Sequence, residues 1–281
     1  MKRNPLLGLF LVATVLSFAG CKLSDLRTTE MKAAIDAPGS TQKARRLMQT
    51  CFLAHGADKW ENYETVTFDF EDRFEKLKFA SPFPGGGTAM TLSYVPDAAD
   101  AHMRVKEGKK EGLIWGLSNW YSWEQKAKSG SERKWKHSRR IKFWLPTWQY
   151  FLQLPLKIME APIMRHGGER EIQGKKYEIL FATWNTDEPQ KEYDQYALYI
   201  NAETKLIDLV EYTVRGVNKS VVGTCVYSGY KQVEGIQIPL VMNVLGPKID
   251  YDDPSILHVM KVNGVEFNQI DQQELQPTRD E

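Results

Sequence analysis

From Glu64 onward the sequence alternates. Val66, Phe68 and Phe70 interleave with Thr65, Thr67 and Asp69, a period of two that sets apolar side chains on one face of an extended strand. Comparable stretches recur near residues 88–95, 101–106, 112–118, 120–126, 163–172, 175–184, 194–201, 206–215, 221–231, 236–245 and 257–268. Short turn-rich connections separate them, as in Glu107-Gly108-Lys109-Lys110, Gln173-Gly174 and Glu234-Gly235. About a dozen strands at such spacing indicate an antiparallel sandwich, a barrel or a strongly curved sheet. In the stretch near 194–201, Tyr196, Leu198 and Ile200 face one way and Ala197 and Tyr199 the other, so both faces there are partly apolar. A chain of 281 residues buries roughly 70–75% of its unfolded surface, so its stability does not depend on disulfides.

Helices are few. Ala44, Leu47, Met48, Cys51 and His55 recur at helical spacing, which predicts a helix over residues 41–54 with Ser40 as N-cap and Gly56 as its stop. A second apolar segment, residues 139–159, contains Pro146 and Pro155, which divide it into a short helix with extended flanks. Lys142, Gln149, Gln153 and Lys157 disqualify it as a membrane span. Residues 21–40 read as a tether, 41–270 as the folded domain, and 271–281 as a polar, frayed tail.

Residues 1–20 obey a different rule. Lys2 and Arg3 precede an apolar run from Pro5 to Leu16 and the small pair Ala19-Gly20, the order of a secretory signal peptide. Leu16-Ser17-Phe18-Ala19-Gly20-Cys21 resembles a bacterial lipobox, with Phe18 where that pattern prefers Leu. The resemblance implies that Cys21 is acylated and becomes the new N-terminus. Lys22 beside it resembles lipoproteins sent on to the outer membrane, where this chain would be anchored facing the periplasm. Two or three acyl chains hold a protein firmly, at roughly 0.8 kcal/mol per buried CH₂.

The chemistry is sparse. Lys plus Arg number 37 against 36 acidic residues, so nothing calls for a nucleic-acid partner. There is no GxSxG, HExxH, phosphate loop or dinucleotide fingerprint. His55, His102, His137, His166 and His258 lie far apart in sequence, and no metal or cofactor is expected. Asp250-Tyr251-Asp252-Asp253 lacks the Gly and Glu of an EF-hand and reads as a solvated turn, while Gly85-Gly86-Gly87 reads as a flexible connection. The pairs Asp69/Glu71 and Glu169/Glu171 read as solvent-facing alternation rather than acid/base machinery. Cys51 and Cys225 either pair across helix and sheet or remain two buried thiols.

The most distinctive stretch is cationic, Lys126, Lys128, Arg133, Lys134, Lys136, Arg139, Arg140 and Lys142, and it runs straight into Trp144, Trp148, Tyr150 and Phe151. Cations meet phosphates and aromatic rings sit at an apolar boundary, so the pattern suits lipid contact. Lys134, Lys136, Arg139, Arg140 and Lys142 are the candidates for headgroup or membrane contact, and Phe143, Trp144, Trp148, Tyr150 and Phe151 for an apolar ligand. The alternative is a solvated basic hairpin followed by an apolar segment that covers the open end of the sheet.

A secreted, cysteine-anchored chain with a helix ending in Ala54-His55-Gly56, then Trp60 and a meander of strands, resembles the LolA/LolB-like lipoprotein carrier superfamily. The best-matching pieces are Tyr199-Ile200-Asn201-Ala202-Glu203-Thr204-Lys205-Leu206-Ile207 and Val233-Glu234-Gly235-Ile236-Gln237-Ile238-Pro239. The resemblance implies a single strongly curved antiparallel sheet, an incomplete barrel whose concave face is covered by a few helices and can hold acyl chains. It implies a non-enzymatic lipoprotein that binds or transfers a lipid or other hydrophobic ligand. A scaffold for other envelope proteins, with a self-filled core, is the alternative, and a hydrolase a more distant one. Replacing Cys21 by Ala is expected to abolish incorporation of labelled palmitate and to leave the precursor uncleaved, read by autoradiography and intact mass.

Overall fold

The alternation that begins at Val66 becomes the central seam of one large sheet. The structure, a computed structural model, describes residues 23–76, 78–128, 131–246 and 255–277. The leader, Cys21 and the acidic run Asp250–Asp253 lie outside the described residues. In chain order the elements are α1 (Thr29–Ile35), α2 (Ser40–Ala54), β1 (Val66–Phe74), β2 (Gly87–Tyr94), β3 (Ala101–Val105), β4 (Ile114–Ser118), β5 (Tyr121–Gln125) and β6 (Lys134–Trp135). Next come α3 (Arg139–Leu152), α4 (Leu154–Met159), β7 (Ile163–Ile172), β8 (Lys175–Thr183), β9 (Tyr196–Asn201), β10 (Ile207–Val214) and β11 (Asn218–Ser228). The small hairpin β12 (Lys231–Val233) and β13 (Ile236–Ile238) precedes β14 (Val241–Leu245) and β15 (Ile256–Phe267).

Among the described residues the order across the sheet is β6-β5-β4-β3-β2-β1-β15-β14-β11-β10-β9-β8-β7, thirteen antiparallel strands that do not close on themselves. β1 and β15 pair from Val66↔Phe267 to Phe74↔His258, so the two meanders meet in the middle. The result is the mainly β, incomplete barrel expected from the resemblance.

The helices α2, α3 and α4 cover the concave face. Phe68, Phe70, Met90, Leu92 and Met103 from the sheet are fully buried against Met48 and Cys51 of α2 and Leu145 and Trp148 of α3. Leu198 and Ile200 join this core while Ala197 and Tyr199 belong to a second cluster on the other face, as the alternation requires.

That second cluster corrects the tether. Residues 23–40 are not free: α1 packs on β7, and Leu26, Met31 and Ile35 are buried among Tyr177, Ile179, Phe181, Tyr199 and Leu209. Arg27 is held by Asp25 at 2.9 Å and Glu188 at 2.6 Å. The tail is corrected over its described residues, 271–277: Asp271 caps a short 3₁₀ turn, Gln272–Leu275, and Leu275 is buried.

Pro146 does not break its segment. α3 runs through it because Ile141, Leu145, Trp148 and Leu152 form one buried stripe, and that burial outweighs the cost of the missing hydrogen bond, about 3 kcal/mol. Ser138 caps the helix through Ile141 N at 3.3 Å, and Thr147 Oγ1 donates to the Phe143 carbonyl at 2.6 Å. Pro155 lies in the first turn of α4, where its missing N–H is harmless.

Of the two cysteine readings, the buried free thiols hold: Cys51 and Cys225 are unpaired, and burial pushes both thiols up. Gly56 takes φ 61° after α2 and approaches Gly235 so closely that a Cβ would lie 2.0 Å from its carbonyl oxygen.

His55, at the C-cap of α2, accepts from Ile207 N through Nε2 at 3.0 Å, and burial pushes its imidazole down to about 3 from an ordinary 6.5. His102 is pushed down to about 4, by burial and then by Arg133. The unfolded chain binds protons that these imidazoles refuse, so stability is complete above about pH 6.5 and falls as pH drops toward 3. Each group contributes about 2 kcal/mol of loss at pH 5. Urea midpoints are expected to fall between pH 7 and 5, and to fall less in His55→Gln, whose amide oxygen still accepts from Ile207.

Candidate functional site

β1 buries apolar side chains at every second position until Asp72, which falls on the same inward face and is itself fully buried. A carboxylate there requires partners, because unpaired burial costs several kcal/mol. His258 Nε2 on β15 donates to Oδ1 at 2.8 Å, and Trp148 Nε1 on α3 donates to Oδ2 at 2.5 Å. The His258 ring stacks on Phe74 with centroids 4.0 Å apart and meets Trp144 edge-on at 6.2 Å. One carboxylate thus joins both halves of the sheet and fixes the helix that crosses them.

Beside this network a cleft of about 340 Å³ remains between α3 and the sheet. Phe143, Trp144, Thr147, Tyr150 and Phe151 supply the helical wall, one face of α3. Tyr196, Tyr212, Val214, Val244 and Met260 supply the sheet wall, from β9, β10, β14 and β15. Tyr212 can lie against β11 because residue 223 is glycine; a Cβ there would sit 2.5 Å from the Tyr212 ring. Phe151 meets Tyr212 edge-on at 5.2 Å, and Tyr150 stacks with Tyr196 at 5.5 Å. Apolar and aromatic walls of this volume are the usual shape of a small-molecule site.

Polar groups at the cleft are few. Asp194 accepts from Thr213 Oγ1 at 2.9 Å and from Arg215 N at 2.7 Å, and burial pushes its carboxyl above the ordinary range. The His258 Nε2 is committed to Asp72. Among the described residues no group of three or more His, Cys, Asp or Glu is placed to hold a metal ion.

Of the five aromatic candidates, Phe143, Trp144, Tyr150 and Phe151 line the cleft. Trp148 does not; it is a fully buried strut whose ring lies 5.6 Å from Trp144. None of the five cations lines it either. Lys136 pairs with Glu124 at 2.9 Å, Lys134 with Glu132 at 3.5 Å, and Arg140 donates to the Pro82 carbonyl at 3.5 Å. Lys142 lies over Tyr121, and Arg139 is exposed. Lys136 and Arg140 instead border a separate, wider depression with Lys78, Lys110 and Lys126. Sequence reasoning missed Asp72, His258, Tyr196 and Tyr212 as site residues. The available signal was Asp72 itself, a carboxylate at an inward position of an otherwise apolar alternation.

No family model matches the sequence, and no curated protein does. Among solved structures, the fold matches a DUF1329 family protein from Desulfovibrio piger with a TM-score of 0.55 and 11% identity, over 84% of this chain and 97% of that one. It also matches a domain described as an outer membrane lipoprotein-sorting protein from Vibrio parahaemolyticus, with a TM-score of 0.52 and 9% identity over the same shares. A LolA superfamily protein from Nitrosomonas europaea aligns at 0.49 with 10% identity, again over 84% and 97%. At these identities the likeness is one of architecture. The protein shares its fold with the Desulfovibrio piger and Vibrio parahaemolyticus proteins.

Asp72→Ala is expected to destabilise the protein by about 3 kcal/mol or more, since it strands the His258 and Trp148 donors in the core. Trp148→Phe, which removes one donor and leaves the carboxylate its other partner, is expected to cost less, about 1–3 kcal/mol, both read from urea unfolding.

Proposed function

We propose that this protein is a bacterial envelope lipoprotein that holds or transfers a lipid or other hydrophobic ligand in the cleft beside α3, without catalysis. The cleft carries this reading. Most of the concave face is filled by side chains of the protein's own core, yet the wall of Trp144, Tyr150, Tyr196 and Tyr212 stays open to a guest. An apolar guest gains free energy by leaving water at roughly 25 cal/mol per Å² buried, and the few polar groups at Asp194 and Thr213 suit a single polar end. In this reading acylated Cys21 anchors the protein in the outer membrane, facing the periplasm.

A specific observation favours a second reading. The concave face is packed so completely elsewhere that the fold also suits a scaffold for another envelope protein, with the cleft a small remnant.

The test is the chain without residues 1–20, with Cys21→Ser, produced in a bacterial periplasm, purified without detergent and extracted for mass spectrometry. A stoichiometric lipid is expected. Val244→Trp, which fills the cleft and leaves the Trp148 strut intact, is expected to reduce it at least about tenfold. A folded protein without lipid, or one whose lipid ignores Val244→Trp, would sink the carrier reading and favour the scaffold.

A further inference from the structure

A second surface stands apart from the cleft. Ser118 pairs with Tyr121, so the β4–β5 hairpin turns through the two residues Asn119 and Trp120, both left-handed at φ 45° and 65°. Such turns favour Asn and Gly; a tryptophan at the second position is strained. Packing does not explain it, because Trp120 is 57% exposed. Strain retained without burial points to a use outside the fold.

Its neighbours share the exposure. Tyr121 is 67% exposed, and Trp135 on β6 is 55% exposed, their rings 6.4 Å apart and nearly perpendicular at 84°. Lys142 Nζ from α3 lies 5.9 Å over the Tyr121 ring, and the Lys134 side chain is 75% exposed with a loose 3.5 Å contact to an equally exposed Glu132. Arg139 is exposed, and Glu124, another carboxylate near this edge, is already taken by Lys136 and Trp115 Nε1. Among the described residues β6 is the last strand of the sheet on this side.

We propose that this corner, Trp120, Tyr121 and Trp135 with Lys134, Arg139 and Lys142, docks on the headgroup layer of an anionic phospholipid membrane. Indole and phenol rings prefer the boundary between headgroups and acyl chains, and cations beside them meet phosphates. Competing occupants fit less well. A sugar needs a flat ring platform, which the perpendicular pair does not offer. A peptide strand needs a longer edge than the two residues of β6. The proposal deepens the envelope reading above by adding a membrane contact distinct from both the Cys21 anchor and the cleft.

The test uses the chain from residue 21 with Cys21→Ser, so that no acyl anchor contributes, and floats it with phosphatidylglycerol vesicles carrying brominated acyl chains. Wild type is expected to float, to lose binding as salt rises, and to show quenched tryptophan fluorescence. Trp120→Gly relieves the backbone strain, so it is expected to raise the unfolding midpoint while weakening vesicle binding, a combination that a purely structural role cannot produce. Trp120→Gly with Trp135→Ser is expected to weaken binding at least about tenfold, and Lys134→Gln and Lys142→Gln about fivefold each with a shallower salt dependence. Val244→Trp, confined to the cleft, should float like wild type, and the corner variants should keep any lipid the wild type extracts. Wild-type protein that stays with the unbound fraction, or corner variants that bind as tightly as wild type, would overturn the proposal whatever the cleft contains.

Discussion

Everything in this molecule hangs on a pairing between the first and the last long strands of the chain. β1 and β15 are nearly two hundred residues apart, yet they form the middle of the sheet, and the two meanders have little else in common. Pairing at such separation carries a large loop-closure cost, and a slip of one residue would turn every side chain to the wrong face. Asp72 and His258 lie across this seam on the concave side and satisfy each other in the register observed. Because Trp148 completes the carboxylate's needs, α3 is fixed by the same atoms that fix the register. A buried polar contact of this kind adds little net stability, but it makes alternative registers costly by leaving charge unpaired.

The fixed helix explains why the cleft lies where it does. On one side of Trp148, α3 packs into the core through Ile141, Leu145 and Leu152; on the other, Trp144 and Tyr150 stand off from β10 and β14. A helix that could roll would close this gap, since apolar walls gain by meeting. The strut prevents the roll, and Gly223 removes the side chain that would otherwise lift Tyr212 into the opening. The cleft is therefore a consequence of how the core is tied, rather than a defect in its filling.

Much of this architecture can be read from the sequence, because period-two patterning is local and hairpin turns carry their own signals. The strands near 163–172 and 101–106 appear within a residue of their expected ends. What escaped was set by distant contacts. Leu26, Met31 and Ile35 are too sparse to announce a helix of seven residues, and α1 exists because the second apolar face of β8 and β9 needs a cover. That need was visible in Ala197 and Tyr199; its solution, twenty residues of supposed tether, was not. Pro146 misled for the same reason, since a local rule was outweighed by the stripe buried beneath it. The candidate site was half legible: the aromatic residues of α3 could be nominated from their cluster, but which of them was strut and which was wall depended on an aspartate seventy-six residues away.

The docked N-terminal segment bears on how the cleft would meet a membrane. Arg215, whose backbone N–H holds Asp194 at the cleft, donates through its guanidinium to the carbonyl and hydroxyl oxygens of Ser24. Ser24 also bonds to Lys219 at the start of β11. The stretch that leads from Cys21 is thus fastened to the same residue that organises the cleft's polar end. Three residues extend at most about 11 Å, so under the proposed acylation Ser24 is kept that close to the anchor. Under that proposal a free tether would let the domain tumble away from the membrane, whereas one fastened at Ser24 would keep the Arg215 edge near the bilayer. That is the arrangement a carrier needs if its ligand must pass between cleft and membrane without crossing water.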